Sequence, residues 1–459
     1  MFKYLLAGLL VIASLSFSTV ITHFKEEKPT PIPPSKQRSG DAAEGYRYLT
    51  TGDYVKGGLP YDFYLMGFGA SKTNYLKREG LNANVNHDYS VVKSPNGENL
   101  VAPNCMQCHA QVFDSTLVMG LGNTFLDFSN DQRYSSQTMM FMENLLKGSP
   151  KKYEASLPFL TVIKTIAPKM RTQARGVNAA DRLTAVLAAH RDPATFKWIE
   201  KAQFDLPDEV VPSDVPAWWL LKKKNAMFHN GFGRGDFGRF LMASNLLTVT
   251  DTAESREVDS HFNNVLAYIR SIEPPKYPKA IDGALAKEGE KLFVNYCSKC
   301  HGKYGAEEEY PNLIVPESII KTDSLLFTSN YQNPQLINWF NNSWFAKGDH
   351  PAKLVPGNGY VAPPLDGVWI TAPYLHNGSV PTIEVLLNSK LRPTYWSRDF
   401  AHPVYDYKNL GWVYEQKEQA GNNTVYNTTL SGYGNYGHTF GDKLTDDERK
   451  AVIEYLKTL

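Results

Sequence analysis

The sequence predicts a mainly α-helical protein built from two units of similar plan, and three observations carry that expectation. The pentapeptide Cys-x-x-Cys-His occurs twice, as Cys105-Met106-Gln107-Cys108-His109 and as Cys297-Ser298-Lys299-Cys300-His301. An apolar stripe of Val258, Phe262, Val265, Leu266, Ile269 and Ile272 recurs at helical spacing and stops at Pro274-Pro275. A second stripe, Val452, Ile453, Leu456 and Leu459, follows a capping box of Thr445 and Glu448 at the end of the sequence.

On a helix, positions i, i+3 and i+4 share one face. Two thiols so placed can add to the vinyl groups of one haem while the following imidazole ligates its iron, which makes Cys-x-x-Cys-His the attachment sequence of c-type haem. The two copies use all four cysteines of the protein. A zinc site, a redox dithiol or disulfides would require only the Cys pairs. Histidine makes up 11 of 459 residues, so a His after both pairs is no accident of composition. The pairs also lie too far apart in sequence for a compact four-Cys zinc module. The expectation is two covalently bound c-type haems, the first on Cys105, Cys108 and His109, the second on Cys297, Cys300 and His301.

In chain order, Lys3 precedes an apolar run from Tyr4 to Ile21, so residues 1–24 read as a signal peptide or a retained N-terminal membrane anchor. Either places the body of the protein in the periplasm or elsewhere outside the cytoplasm. Residues 25–40 are Pro-rich and charged without an apolar period and read as a disordered linker. Residues 41–275 form the first haem domain and 276–459 the second, with the Pro-rich residues 274–281 between them. Residues 50–100, rich in Gly, Asn and Tyr, read as loops and short hairpin-like pieces. Thr138 to Leu146 and Ala179 to His190 read as helices, either walling a pocket over the first haem or thickening the core. The second domain opens with a helix carrying Leu285, Leu292, Phe293 and Tyr296 on one face, and Gly289 there lets another helix approach. Helix, haem segment, long loops and terminal helix make the plan of a cytochrome c-like domain. The first domain repeats it with large helical and loop insertions. The net charge of +1 argues against nucleic acid as a partner.

The sixth ligand of each iron decides function. In small c-type domains it often stands just before the terminal helix, and His438 occupies that place beside the Gly-, Tyr- and Asn-rich residues 431–437. His376 is the rival, with a structural role beside a haem propionate as its alternative. For the first iron, Met242 and His229 are candidates by position. Met242 lies in an apolar run and reads as core. His229 reads as a distal ligand, a distal acid or base, or a surface-loop residue. An open or water-bound sixth site is the preferred reading. Arg234 and Arg239 are candidates for propionates, because guanidinium suits carboxylates bidentately. Lys222, Lys223 and Lys224 read as solvated or near propionates.

Residues 362–383, APPLDGVWITAPYLHNGSVPTI, together with 283–301 and 437–459, resemble bacterial dihaem cytochromes of the cytochrome c peroxidase superfamily. That superfamily carries a similar Thr-Ala-Pro-Tyr-x-His-Asp/Asn-Gly-Ser stretch in its second haem domain, which here runs from Thr371 to Ser379. The Trp218-Trp219 region and Gly437-His438-Thr439-Phe440 resemble the rubber-oxygenase-like branch. The resemblance implies a His ligand on the second haem, favouring His438. It also implies a Trp between the haems that carries electrons; Trp218 or Trp219 is the candidate, with core packing as the alternative. It implies an exported dihaem redox enzyme, peroxidase-like or oxygenase-like. The first haem would activate dioxygen or peroxide and the second would transfer electrons, with a redox protein or a small-molecule oxidant as partner. The alternative is an electron carrier without a substrate of its own. No side chain is assigned a catalytic role from the sequence.

Overall fold

The computed structural model describes residues 27–130, 136–332 and 334–459. The segment expected to be a signal peptide or anchor, residues 1–24, lies outside them. Among the described residues no helix is long and apolar enough to cross a membrane. The architecture is mixed rather than mainly α, with 41% of residues helical and 14% in strands. The strands span only two to five residues, too few for apolar alternation to register in the sequence.

The main helices in chain order are α1 (Ala42–Thr51), α2 (Met106–His109), α3 (Ser136–Lys147), α4 (Pro150–Ile166), α5 (Ala180–Ala189), α6 (Thr252–Ser271), α7 (Gly283–Tyr296), α8 (Ser298–His301), α9 (Pro334–Asn342) and α10 (Asp446–Leu456). The main strands are β1 (Thr30–Pro31), β2 (Tyr89–Lys93), β3 (Asn99–Pro103), β4 (Ala110–Phe113), β5 (Thr116–Met119), β6 (Gly233–Gly235), β7 (Leu313–Pro316), β8 (Ala352–Leu354), β9 (Gly359–Val361), β10 (Tyr395–Ser397), β11 (Glu415–Lys417) and β12 (Val425–Asn427). Side-chain carboxylates start the long helices: Asp41 accepts from the amides of Ala43 and Glu44 at α1, and Asp251 from Ala253 and Glu254 at α6. The capping box of Thr445 and Glu448 forms as the sequence predicts. Helix α7 lies against α10, and a Cβ at Gly289 would overlap the Ala451 carbonyl oxygen. The buried face of α7 is Ala286, Gly289 and Phe293, whereas Tyr296, expected on that face, is exposed.

Residues 27–40, expected to be a disordered linker, are tied down. Strand β1 pairs antiparallel with β7, whose other edge carries β9. Ile32 is buried, and Gln37 donates to the Gly235 carbonyl at 2.8 Å. Arg38 reaches Asp236 at 2.9 Å and Asp259 at 2.8 Å, and Asp259 also pairs with Arg239 at 2.8 Å. Isolated anchors of this kind leave no period in a sequence.

The expected boundary at 275/276 does not separate two cores. One apolar cluster joins Leu49, Met106, Phe262 and Val265 to Trp339, Phe340 and Phe345 from the later residues. Another joins Phe113, Leu121 and Trp219 to Phe293, Trp369 and Val452. Strand β6 likewise pairs with β8. Pro274-Pro275 ends helix α6 without ending its packing, because the later chain folds back across the earlier half.

Candidate haem sites

Both pentapeptides fold as single helical turns. The amides of Cys300 and His301 donate to the Cys297 carbonyl at 3.2 and 3.1 Å, and those of Cys108 and His109 donate to the Cys105 carbonyl at 3.3 and 3.0 Å. The turn sets two thiols and an imidazole on one face. All four cysteines are free of disulfides. Burial pushes the Cys105 and Cys297 thiols up to about 11.

At the second pentapeptide, His301 Nδ1 lies 2.8 Å from the Pro363 carbonyl oxygen. That bond fixes the ring orientation and leaves Nε2 as the free lone pair, the arrangement that supports a metal-ligating His. The His438 ring faces His301, with centroids 6.1 Å apart and planes at 66°. An iron held by both imidazoles would need a centroid separation of about 6 Å, from a metal–nitrogen bond of about 2 Å and roughly 1 Å from nitrogen to ring centre on each side. The observed spacing fits. Burial, with His301 and Arg392 nearby, pushes His438 down to about 3, and burial also lowers His301, so both rings are neutral at pH 7. His438 therefore faces His301. His376 instead stacks on Tyr360 at 4.2 Å, with its Nε2 buried and without a partner.

At the first pentapeptide, His109 stacks on Trp218, with centroids 4.5 Å apart and planes at 18°. Burial pushes His109 down to about 3. Asn178 donates to Cys108 Sγ at 3.2 Å, and the Tyr54 hydroxyl accepts from the Cys105 amide at 3.1 Å. Among the described residues His109 has an indole, and no second imidazole, as ring neighbour. Met242 is fully buried in the first apolar cluster, a core residue. His229 is half-buried in the turn that follows Phe228. Its Nε2 lies 3.1 Å from the Asp214 carbonyl, and burial with nearby Lys224 pushes it down to about 4.

Trp218 and Trp219 are both buried. Trp219 Nε1 donates to the Asp366 carbonyl at 2.8 Å, three residues beyond the Pro363 carbonyl that holds His301. The sequence leaves Arg239 open to propionates, but its guanidinium is taken by Asp259 and by the Trp344 and Lys347 carbonyls. Arg234 keeps a buried Nη1 without a partner and remains available to a carboxylate. Lys222 pairs with Glu273 at 2.7 Å, and Lys223 with Asp366 at 2.6 Å. Lys224 is buried, not solvated, and burial beside Arg234 pushes it down to about 8. The Pro363 carbonyl, Asn178 and Tyr54 carry no sequence signal, since each acts through a fold contact.

Residues 359–397 match the sequence model of the RoxA-like, cytochrome c-like family. The matched stretch includes Thr371–Ser379 but neither pentapeptide. The uncharacterized protein y4iJ of Sinorhizobium fredii (strain NBRC 101917 / NGR234) is 28% identical over 253 residues, covering 41% of this chain and 41% of that protein. The uncharacterized protein y4iM of the same organism is 26% identical over 305 residues, covering 58% of this chain and 68% of that protein. The chain thus spans about two-fifths of the length of the first of these relatives. A RoxA-like, cytochrome c-like segment is present in this chain, and a cytochrome c-like domain implies covalently bound haem.

Proposed function

We propose that the protein is an extracytoplasmic dihaem c-type cytochrome that works as a redox enzyme. The first haem is held by Cys105, Cys108 and His109, and the second by Cys297, Cys300, His301 and His438. A haem iron with an exchangeable sixth position supplies binding and reduction of dioxygen or peroxide. The observation that carries the reading is the asymmetry between the two imidazoles. His301 has a second imidazole opposite it at the spacing one iron needs, whereas His109 has Trp218 beside it. His301 and His438 would together hold the second iron, which would suit electron transfer, and His109 alone would hold the first, which would leave it able to bind a small molecule. Trp218, stacked on His109, and Trp219, bonded to the Asp366 carbonyl, give a buried aromatic route between the two sites. The apolar run from Tyr4 to Ile21 supports export or anchoring, and the partner is a redox protein or a small-molecule oxidant.

The test is EPR of the oxidised protein with added cyanide. The expected result is one high-spin and one low-spin iron, with cyanide binding one haem per chain and that haem lost when Cys105 and Cys108 are replaced by Ala. If neither haem binds cyanide or carbon monoxide in either oxidation state, the enzyme reading fails and an electron carrier takes its place. If the second haem binds instead, the division of labour is reversed.

A further inference from the structure

We propose that Arg392 is the positioning residue for His438, clamping the loop that carries it so that the imidazole stands opposite His301. This rests on the reading that His301 and His438 ligate one iron. His438 has φ of 45° and follows Gly437 at φ of 73°, so two consecutive residues sit in the left-handed region. That region is disfavoured for a residue with a side chain, and it persists only where the surroundings over-determine it. A Cβ at Gly437 would overlap the backbone of Lys321, and the His438 amide donates to the Ile320 carbonyl at 2.7 Å. The loop is therefore pressed against residues 320–322 on one side.

On the other side stands Arg392. Its Nη1 donates to the carbonyls of Asn435 and Gly437, both at 2.6 Å. Its Nη2 donates to the carbonyls of Leu386 at 3.0 Å and His438 at 3.2 Å. One rigid guanidinium thus gathers three carbonyls from residues 435–438 and ties them to a fourth outside the loop. The neighbouring carboxylate, Asp442, is taken by the amide and hydroxyl of Ser389 at 2.8 and 2.6 Å. Upstream, Asn377 donates to the carbonyls of Gly432 and Gly434, so the first half of the loop has its own anchor. The half that bears the imidazole is held between Arg392 and residues 320–322, with Asn435 also donating to the Pro393 carbonyl at 2.8 Å. A lysine offers a point charge on a flexible stem and cannot hold four carbonyls in one plane.

The experiment uses the haem-loaded full chain with R392Q, R392K and H438A, read by ferric EPR and by the rate of cyanide binding at the second haem. In R392Q part of the second haem's low-spin signal becomes high-spin and cyanide enters at least tenfold faster than in the parent. R392K falls between the two, and the first haem's signal stays as it was. If R392Q and R392K both keep the parent's low-spin signal and cyanide rate while H438A loses the signal, His438 ligates without help from Arg392 and the proposal is overturned. If H438A leaves the low-spin signal intact, the ligand reading itself has failed. Should R392Q not accumulate, R392K decides: a cyanide rate at least threefold above the parent supports the clamp, and an unchanged rate overturns it.

Discussion

His438 is the residue on which the most chemistry turns. His438→Ala should convert one low-spin haem to high-spin in the oxidised protein and leave the other unchanged, as read by EPR. His376→Ala should change neither iron, because its ring is stacked on Tyr360. The indoles make a second residue-level test. Trp218→Phe and Trp219→Phe should each slow electron transfer between the haems, measured by flash reduction. Trp219→Phe should also loosen residues 363–366, since it removes the bond to the Asp366 carbonyl. The pentapeptides and the place of His438 before the last helix were legible in the sequence, because attachment chemistry fixes a local spacing. The pairing of His109 with Trp218 was not, since nothing local links residues more than a hundred positions apart. Arg239 misled for a related reason: a guanidinium suits any carboxylate, and only the fold says that Asp259 is the one it meets.

Among the elements, α7 and α10 pack closely, and Gly289 is a tight point of that contact. Gly289→Ala should force the helices apart and cost about 1–3 kcal/mol, the usual penalty for overpacking, seen as a lower midpoint in thermal unfolding. Gly283→Ala, where an added Cβ meets open space, serves as the control. Several helices of ten or more residues were readable from their apolar periods, as in α6, α10, α3 and α5, whereas α1 and α4 were not singled out. The short strands were not. A three-residue strand such as β10, which pairs with both β11 and β12, shows one alternation and no more. Tyr296 was assigned to the buried face of α7 by spacing alone, which does not say how wide the covering partner is.

Across the whole molecule, Asp259 holds three elements together. Arg38 reaches it from the N-terminal segment, Arg239 from the turn before α6, and His350, with Nε2 at 2.8 Å, from the later half. Burial works against its ionisation, but the hydrogen bond from His350 and the charges of Arg239 and Arg38 outweigh it and hold the carboxyl below its usual value. A carboxylate lowered on folding adds stability above its unfolded pKa of about 3.9, and that stability is lost as the pH falls through the folded value. Asp259→Asn should therefore destabilise by about 3–5 kcal/mol at pH 7, since it leaves the buried Arg239 without its carboxylate, and the gap to the parent should narrow below about pH 4 in urea titrations. The repeated motif itself was readable in the sequence. The sharing of cores was not, because Trp339, Phe340 and Phe345 advertise a core without naming whose.

The pairing of β1 with β7 sets an order of events during synthesis. Thr30 meets Ile314, so the first described strand leaves the ribosome long before its partner exists. Arg38 must likewise wait for residues 198 and 221 positions downstream. Contacts so distant in sequence close late, because the entropy of the intervening chain is spent before they return anything. The Cys105–His109 segment therefore emerges while the β1–β7 contact is still open, and that contact closes only on a chain that has been made through β7.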